Sequence, residues 1–557
     1  MMFKSIGYLI FFGITLTFLS CSEEPIDKIL DVEPDTVVID MQGLIGGWYH
    51  GEDLTRIGAS MRIKNLDIIW DAITGRGNSW SAQWEGYITA PETGEITFYA
   101  ATNREIIVKI TGKEVLHLGA GDLISSSKVS MIKGQRYPIN VIYLQNTGGS
   151  TQFNISWSWS GHEKHLVCPE ALGFTNEQAE WWNYIEPPDP AIFDFSKLIT
   201  VPAQNYFAYR LEGMFAGWPA NNGVWSWGNE ILVGFELGTH DPDISGGHSM
   251  RDDLPNYNVL TRSLDGGITW NIERPINFVD SEIDDPAFIT NSPGFNFQDP
   301  NFVMRIGGDR YFASVDRGKT WSGPYRINIR APGITLGGLT SRTDYLVTGP
   351  GECLVFLSAE TGLVESDYQD RSFCVSTKDG GKTFDFLGWM TQDTESRSVM
   401  SSTVRISENH LVSALRRKHE QSFGERPSLV TNWIEAAESK DNGKTWTKTC
   451  KIADTDLGER NGNPPALLKL TDGRICVAYG YRDFPYGIRM KVSEDNGQTW
   501  GKEIVVRSDG ATWDLGYCRM VLNSEGKIVI MYYFTTTDNY PQHIGVSIID
   551  PVDLAGL

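Results

Sequence analysis

Apolar and polar positions alternate with a period of two through five short segments in the first third of the chain, at 84–88, 96–100, 106–110, 137–143 and 153–157. That period sends successive side chains to opposite faces, so each segment predicts a β-strand with one face buried. Turn-forming residues bound them, as at Ala90, Pro91 and Gly94 or Asn146, Gly148 and Gly149. Further strands are predicted at 409–416 and 527–533, and no stretch after residue 190 sustains a helical period. One apolar run stands apart. It extends from Ile6 to Leu19 behind Lys4, and its position and flanks predict the core of a secretory signal, not a mature membrane span.

Five copies of a turn motif punctuate the last two-thirds of the chain, at 263–270, 314–321, 377–384, 439–446 and 493–500, all fitting S/T-x-D-x-G-x-T-W/F. The aspartates Asp265, Asp316, Asp379, Asp441 and Asp495 can accept bonds from the turn's own N–H groups, and the glycine supplies positive φ. Threonine suits the returning strand, and the aromatic residue offers a large apolar surface to a neighbouring unit. The aspartates stand 51, 63, 62 and 54 residues apart, the size of a four-stranded unit with its loops, which signals a propeller or array. The motif resembles the Asp-box of sialidases and other BNR-repeat propellers. That resemblance implies a six-bladed sialidase-like β-propeller over 191–557.

The strands of 42–175 resemble a PA14 domain, through the W-x-G-Y-I strand at 84–88, the Pro91–Gly94 turn, the Tyr137-Pro138-Ile139 strand and the close at Trp157, Trp159 and Gly161. This implies a β-sandwich, often a carbohydrate-binding accessory. Where many members carry paired acids, this chain has Thr102, Asn103, Arg104 and Glu105, which do not supply the several hard oxygen ligands that calcium-dependent sugar binding needs. A Trp-, Glu- and Pro-rich stretch at 176–190 reads as a stiff linker. At the other end, residues 17–21 resemble a bacterial lipobox. This implies a signal peptide over 1–21, lipidation of Cys21, a tether at 22–41 and an outer-membrane location.

Composition narrows the function classes. With 48 basic and 70 acidic residues the net charge is −22, which argues against nucleic acid or an anionic membrane surface as partner and leaves contact with a membrane to the lipid anchor. The 18 Trp, 21 Tyr and 25 Phe suit β-rich cores and sugar stacking alike. The six cysteines after Cys21 form no C-x-x-C pair and none stands beside a histidine at ligand spacing, so no metal is expected. No motif implies a cofactor.

Carried to the site, the sialidase resemblance implies a tyrosine nucleophile activated by a glutamate, an aspartate acid/base and three arginines that hold a substrate carboxylate. The residues in matching positions are Asp252, with Asp253 as its competitor, for the acid/base; Tyr517 for the nucleophile; and Arg416, with Arg417 and Arg426 near it, for the second arginine. Arg482 or Arg489 would supply the third arginine, although neither falls at the family spacing, and Arg210 the first, although Trp218 and Pro219 occupy the expected distance. The glutamate position falls on Met400, with Glu395 the nearest carboxylate upstream, and a second one falls on Tyr533. Two readings follow: an exo-acting sialidase-like hydrolase of terminal acidic sugars, or a non-catalytic glycan-binding lipoprotein on a diverged propeller. A third uses His240 or His248 beside Asp241 and Asp243 for other chemistry.

Overall fold

The alternating segments of the first module fold as two facing antiparallel sheets. In the computed structural model the described residues are 37–50, 54, 56–70, 80–119, 125–145, 151–241, 248–251, 253–275, 278, 288–289, 291–361, 370–423, 426–458, 460–536 and 541–556. Cys21, the signal segment and most of the tether lie outside them, as do Asp252 and Asp243. One sheet runs in the order Met41–Gln42, Leu172–Phe174, Trp80–Thr89, Arg136–Gln145, Glu105–Ile110, Lys113–Leu118, with Leu44–His50 and Arg56–Ile63 attached. The other centres on Thr151–Trp159 and Gly94–Thr102. Trp84, Ile106, Val108 and Tyr143 from the first sheet and Phe98, Phe153 and Trp157 from the second close one core between them. Asn103 works as a structural residue: its side-chain oxygen accepts from Gln152 N at 3.0 Å and Tyr143 Oη at 3.2 Å.

The stretch read as a linker begins differently. Thr175 and Gln178 form a reciprocal capping box that starts the helix Asn176–Trp181. Trp182 then buries its ring and donates Nε1–H to Glu85 at 2.8 Å. The Pro-rich character begins only at Pro187.

The rest of the described chain forms six sheets in chain order, each antiparallel at its centre. Five are consecutive; the sixth joins Gly516–Leu522, Ile528–Phe534 and His543–Ile549 to the early strand Gln204–Tyr209, whose register pairs Tyr206 with Val546. The two ends of the propeller are thereby stitched into one sheet, which leaves no open edge between them.

The repeated turns work as their chemistry requires. In the fourth, Asp441 accepts from Ser439 Oγ, Lys444 N, Thr445 N and Thr445 Oγ1 at 2.6–3.1 Å, and Trp446 Nε1 donates to Gly443 O at 3.0 Å. The aromatic of each unit packs into the preceding sheet. Trp321 lies 5.6 Å from Trp225, Phe384 lies 6.1 Å from Tyr311, and Trp446 lies 6.3 Å from Phe356. Trp270 of the first sheet packs into a cluster with Val529 and Met531 of the sixth, which carries the order around the ring. These aspartates are turn-formers, engaged within their own loops.

Burial alone would raise Asp265, but the bonds from Thr269, Ser263 and Ile268 outweigh it and hold the carboxyl down to about 2. An unfolded aspartate titrates near 3.8. The turn's contribution is therefore complete above about pH 4 and lost as pH falls towards 2. Asp441→Ala, which leaves four N–H or O–H donors of the turn without their acceptor, is expected to lower stability by roughly 1–3 kcal/mol. An unchanged urea midpoint for that variant would contradict this account.

All six described cysteines are free, and among the described residues no group of His, Cys, Asp or Glu is placed to hold a metal ion. No described helix is long and apolar enough to cross a membrane.

Candidate active site

Two innermost strands carry the same device. Arg397–Arg405 of the fourth sheet has a register shift between Val399 and Ser402, and Gly516–Leu522 of the sixth has one between Gly516 and Arg519. Such bulges re-aim side chains, and here they turn Met400 and Tyr517 toward each other's neighbours. Both residues are left-handed, with φ of 54° and 50°. Trp218 and Asn461, which border the same place, are left-handed too, at 53° and 61°. Non-glycine residues in this region carry strain, and strain of this kind concentrates at functional sites. Gly516 makes the Tyr517 turn possible: its φ is +105°, and a Cβ there would fall 2.4 Å from Asn463. The buried Asn463 in turn pins the strand by accepting from Tyr517 N at 3.1 Å and donating to Leu515 O at 2.9 Å.

The predicted residues separate into those that meet and those that do not. Arg416 Nη1 donates to Tyr517 Oη at 3.3 Å and approaches Met400 Sδ at 3.5 Å. Arg482 lies 5.6 Å from the Tyr517 ring centre and donates through Nη2 to Tyr533 Oη at 2.8 Å. Their remaining N–H groups go to main-chain carbonyls, Arg416 to Asn461 O and Arg482 to Leu515 O and Arg460 O. Both are therefore held as fixed charges and not as open forks.

Arg489 is elsewhere: it bonds Arg507 O at 3.2 Å and Pro485 O at 2.7 Å within the fifth sheet. Arg210 follows the outermost strand of the sixth sheet, stacked 4.8 Å over Phe207. Glu395 is exposed in a loop whose turn is made by Asp393, so Glu395 is not placed as the tyrosine's base. Among the alternatives, Arg417 is paired with Glu435 and Asp393, Asp253 forks with Arg251 at 2.6 Å, and the Arg426 side chain lies outside the described residues.

The sixth sheet adds groups that sequence spacing missed as a set. Asp514, almost fully buried, accepts from Tyr533 Oη at 2.6 Å, from His248 Nδ1 at 2.7 Å and from Gln542 Nε2 at 3.2 Å. His248 packs edge-on to Trp218 at 4.9 Å and lies 5.7 Å from Trp513. His240, by contrast, is half-buried, and burial lowers its pKa against the pull of Asp241.

Electrostatics split the two tyrosines. For Tyr517, burial would push the phenol up, but the charges of Arg416 and Arg482, the Arg416 bond and the charge of Arg397 together hold it below the ordinary tyrosine value. Tyr533 is raised well above that value, by burial first and then by Asp514. The two phenols are thus pushed in opposite directions: Tyr517 ionises more readily than an ordinary tyrosine, while Tyr533 stays a phenol that donates to Asp514. A separate cavity of about 400 Å³, lined by Tyr325, Arg326, Lys382 and Thr383 among others, belongs to the rim turns and contains none of these groups.

The class this defines is an all-β protein with a sandwich followed by a propeller in which a buried tyrosine of the sixth sheet is flanked by two arginines. In sequence, residues 67–171 match the PA14 domain and residues 287–530 match the BNR repeat-like domain. The chain thus carries a PA14 domain followed by a propeller of the BNR-repeat type. No curated protein matches it. Among solved structures, a protein of unknown function from Dyadobacter fermentans DSM 18053 is 24% identical, with 62% of this chain and 99% of that one covered at a TM-score of 0.46. The α-L-arabinanase of Penicillium chrysogenum, solved with arabinobiose, is 14% identical, covering 62% and 97% at 0.41. The Hadza microbial sialidase Hz136 is 12% identical, covering 88% and 97% at 0.38.

Proposed function

We propose that the protein is an exo-acting glycoside hydrolase that removes terminal acidic sugars from glycans, using Tyr517 as nucleophile. The observation that carries this is the Tyr517 hydroxyl, 3.3 Å from Arg416 and held below its ordinary pKa with no carboxylate base beside it among the described residues. A base is one way to make a phenolate; two fixed cations are another, because they stabilise the charged form. The same cations, Arg416 and Arg482, favour an anionic group on the sugar, and Trp218 and Trp513 offer ring faces for its apolar side.

In this reading the Tyr517 phenolate attacks the anomeric carbon and the bond to the leaving oxygen breaks. That oxygen takes a proton from an acid on the 248–253 loop. Asp252 holds this role by resemblance; His248, oriented by Asp514, is the group whose position is described. Water then cleaves the tyrosyl–sugar bond and its proton returns to that acid. The six sheets are the six blades of the ring, the PA14 domain is a glycan-binding accessory, and Cys21 anchors the chain to the outer membrane.

One observation favours a binding-only alternative: Met400 fills the position of the activating glutamate. A screen of the soluble chain against glycans ending in acidic sugars, reading released monosaccharide, separates the two. Binding without release across the panel would sink the hydrolase reading. For the anchor, Cys21→Ser is expected to leave a precursor that no longer fractionates with outer membranes, and unchanged fractionation would count against lipidation.

A further inference from the structure

We propose that the axis of the propeller, beneath Tyr517, holds a small monovalent inorganic anion of the size of chloride between Arg342 and Arg519. Arg519 sits on the innermost strand of the sixth sheet, and its Nη2 donates to Ala220 O at 2.6 Å, in the short helix Pro219–Asn222 between two strands of the first sheet, and to Thr343 O leading into the third. Arg342, next to Thr343, reaches across to Pro465 O at 2.5 Å, at the start of the fifth sheet. Bonds that join the third sheet to the sixth and to the fifth cross the middle of the ring, so these two guanidiniums lie on its axis.

What they leave unmet points to a ligand. Arg342 is 0% exposed, yet its Nε and Nη2 find no acceptor among the described residues. Those two atoms form one edge of the guanidinium, the edge that gives two parallel bonds to an anion. The Nε of Arg519 is also without an acceptor, as is Nη1 of Arg305, whose Nε bonds Asn222 Oδ1 at 2.7 Å. The carboxylates nearby do not close the balance. Asp344 faces Arg342 and Arg519, but its hydrogen bonds come from Ser401 and Thr403, and Glu236 faces Arg305 while bonding Asn256. Burial lowers all three arginines and raises Asp344 to about 6. Buried cations without partners are costly, and an anion seated on the free edge removes that cost. Complete enclosure of Arg342 excludes a sugar and selects a small ion.

The test uses the full chain. Its thermal midpoint is followed as sodium gluconate is replaced by sodium chloride at constant ionic strength. A ligand bound only by the folded state raises the midpoint with the logarithm of its concentration above Kd. The expected result is a saturable chloride response in the wild type, none in Arg342→Gln, and onset at lower chloride in Asp344→Asn, which removes the competing negative charge. Crystals grown in bromide should show an anomalous peak against Arg342 and Arg519. Equal midpoints in the two salts, a wild-type response in Arg342→Gln or bromide crystals without that peak would each overturn the proposal. If Arg342→Gln does not fold, the other two measurements decide: an Asp344→Asn onset at unchanged or higher chloride overturns it as well.

Discussion

Tyr517→Phe is expected to abolish turnover on any substrate of the site while leaving the fold and substrate binding in place. Removing one preorganised transition-state contact costs on the order of a hundredfold to a thousandfold, and removing a nucleophile costs more. A loss of at least about a thousandfold in kcat is therefore the expected size. The fold should be indifferent, because the hydroxyl's hydrogen bond is the one from Arg416, and the ring stays packed with Tyr533 5.8 Å away. One side-chain hydrogen bond is worth about 1 kcal/mol net. Measuring kcat, a thermal midpoint and equilibrium binding of a released sugar on the same preparation separates the possibilities. If kcat survives, the phenol is not the nucleophile. If binding also vanishes, the side chain holds substrate without doing chemistry on it.

How far this site was legible in the sequence depends on how local each signal is. The five turn motifs could be read because the bonds their aspartates accept close within eight residues, so the residue types that make the turn stand together in the sequence. Tyr517 was legible through the sialidase resemblance; the structure adds that Gly516 before it holds a backbone that a side chain would obstruct. Arg416 was legible as the end of a strong strand. The base position was not, and Asp252 lies outside the described residues. Glu395 is close to Met400 along the chain, but a loop built on Asp393 keeps it exposed, and the bulge after Val399 brings Met400 to Arg416 instead. Arg210 and Arg489 share residue type with a substrate-binding arginine, but one follows the outermost strand of one sheet and the other lies within another. The Asp514–His248 pair joins residues 266 apart, and the charges that lower the Tyr517 pKa come from arginines of two other sheets. Only closure of the ring brings these groups together, and no spacing rule along one chain encodes that closure.

Arg416→Met is expected to shift the rising limb of the pH–rate profile to higher pH as well as to slow the reaction. The sign follows from the balance at Tyr517. Burial pushes the phenol up and the cations pull it down, with Arg416 the largest of them. Deleting that cation leaves burial less opposed, so the phenol ionises later and the fraction of phenolate at neutral pH falls. The loss at neutral pH is expected to be on the order of a hundredfold, and it should shrink as pH is raised, because the remaining phenol still titrates. Arg416→Lys keeps a charge on a shorter stem and should move the limb less. Both variants lose donors to Asn461 O, so some destabilisation, roughly 1–3 kcal/mol, accompanies them. The pH profile distinguishes that structural loss from the electrostatic one. A variant that is slower at every pH, with its limb where the wild type's lies, would show that Arg416 merely props the loop at Asn461 and that Tyr517 owes its ionisation to another group.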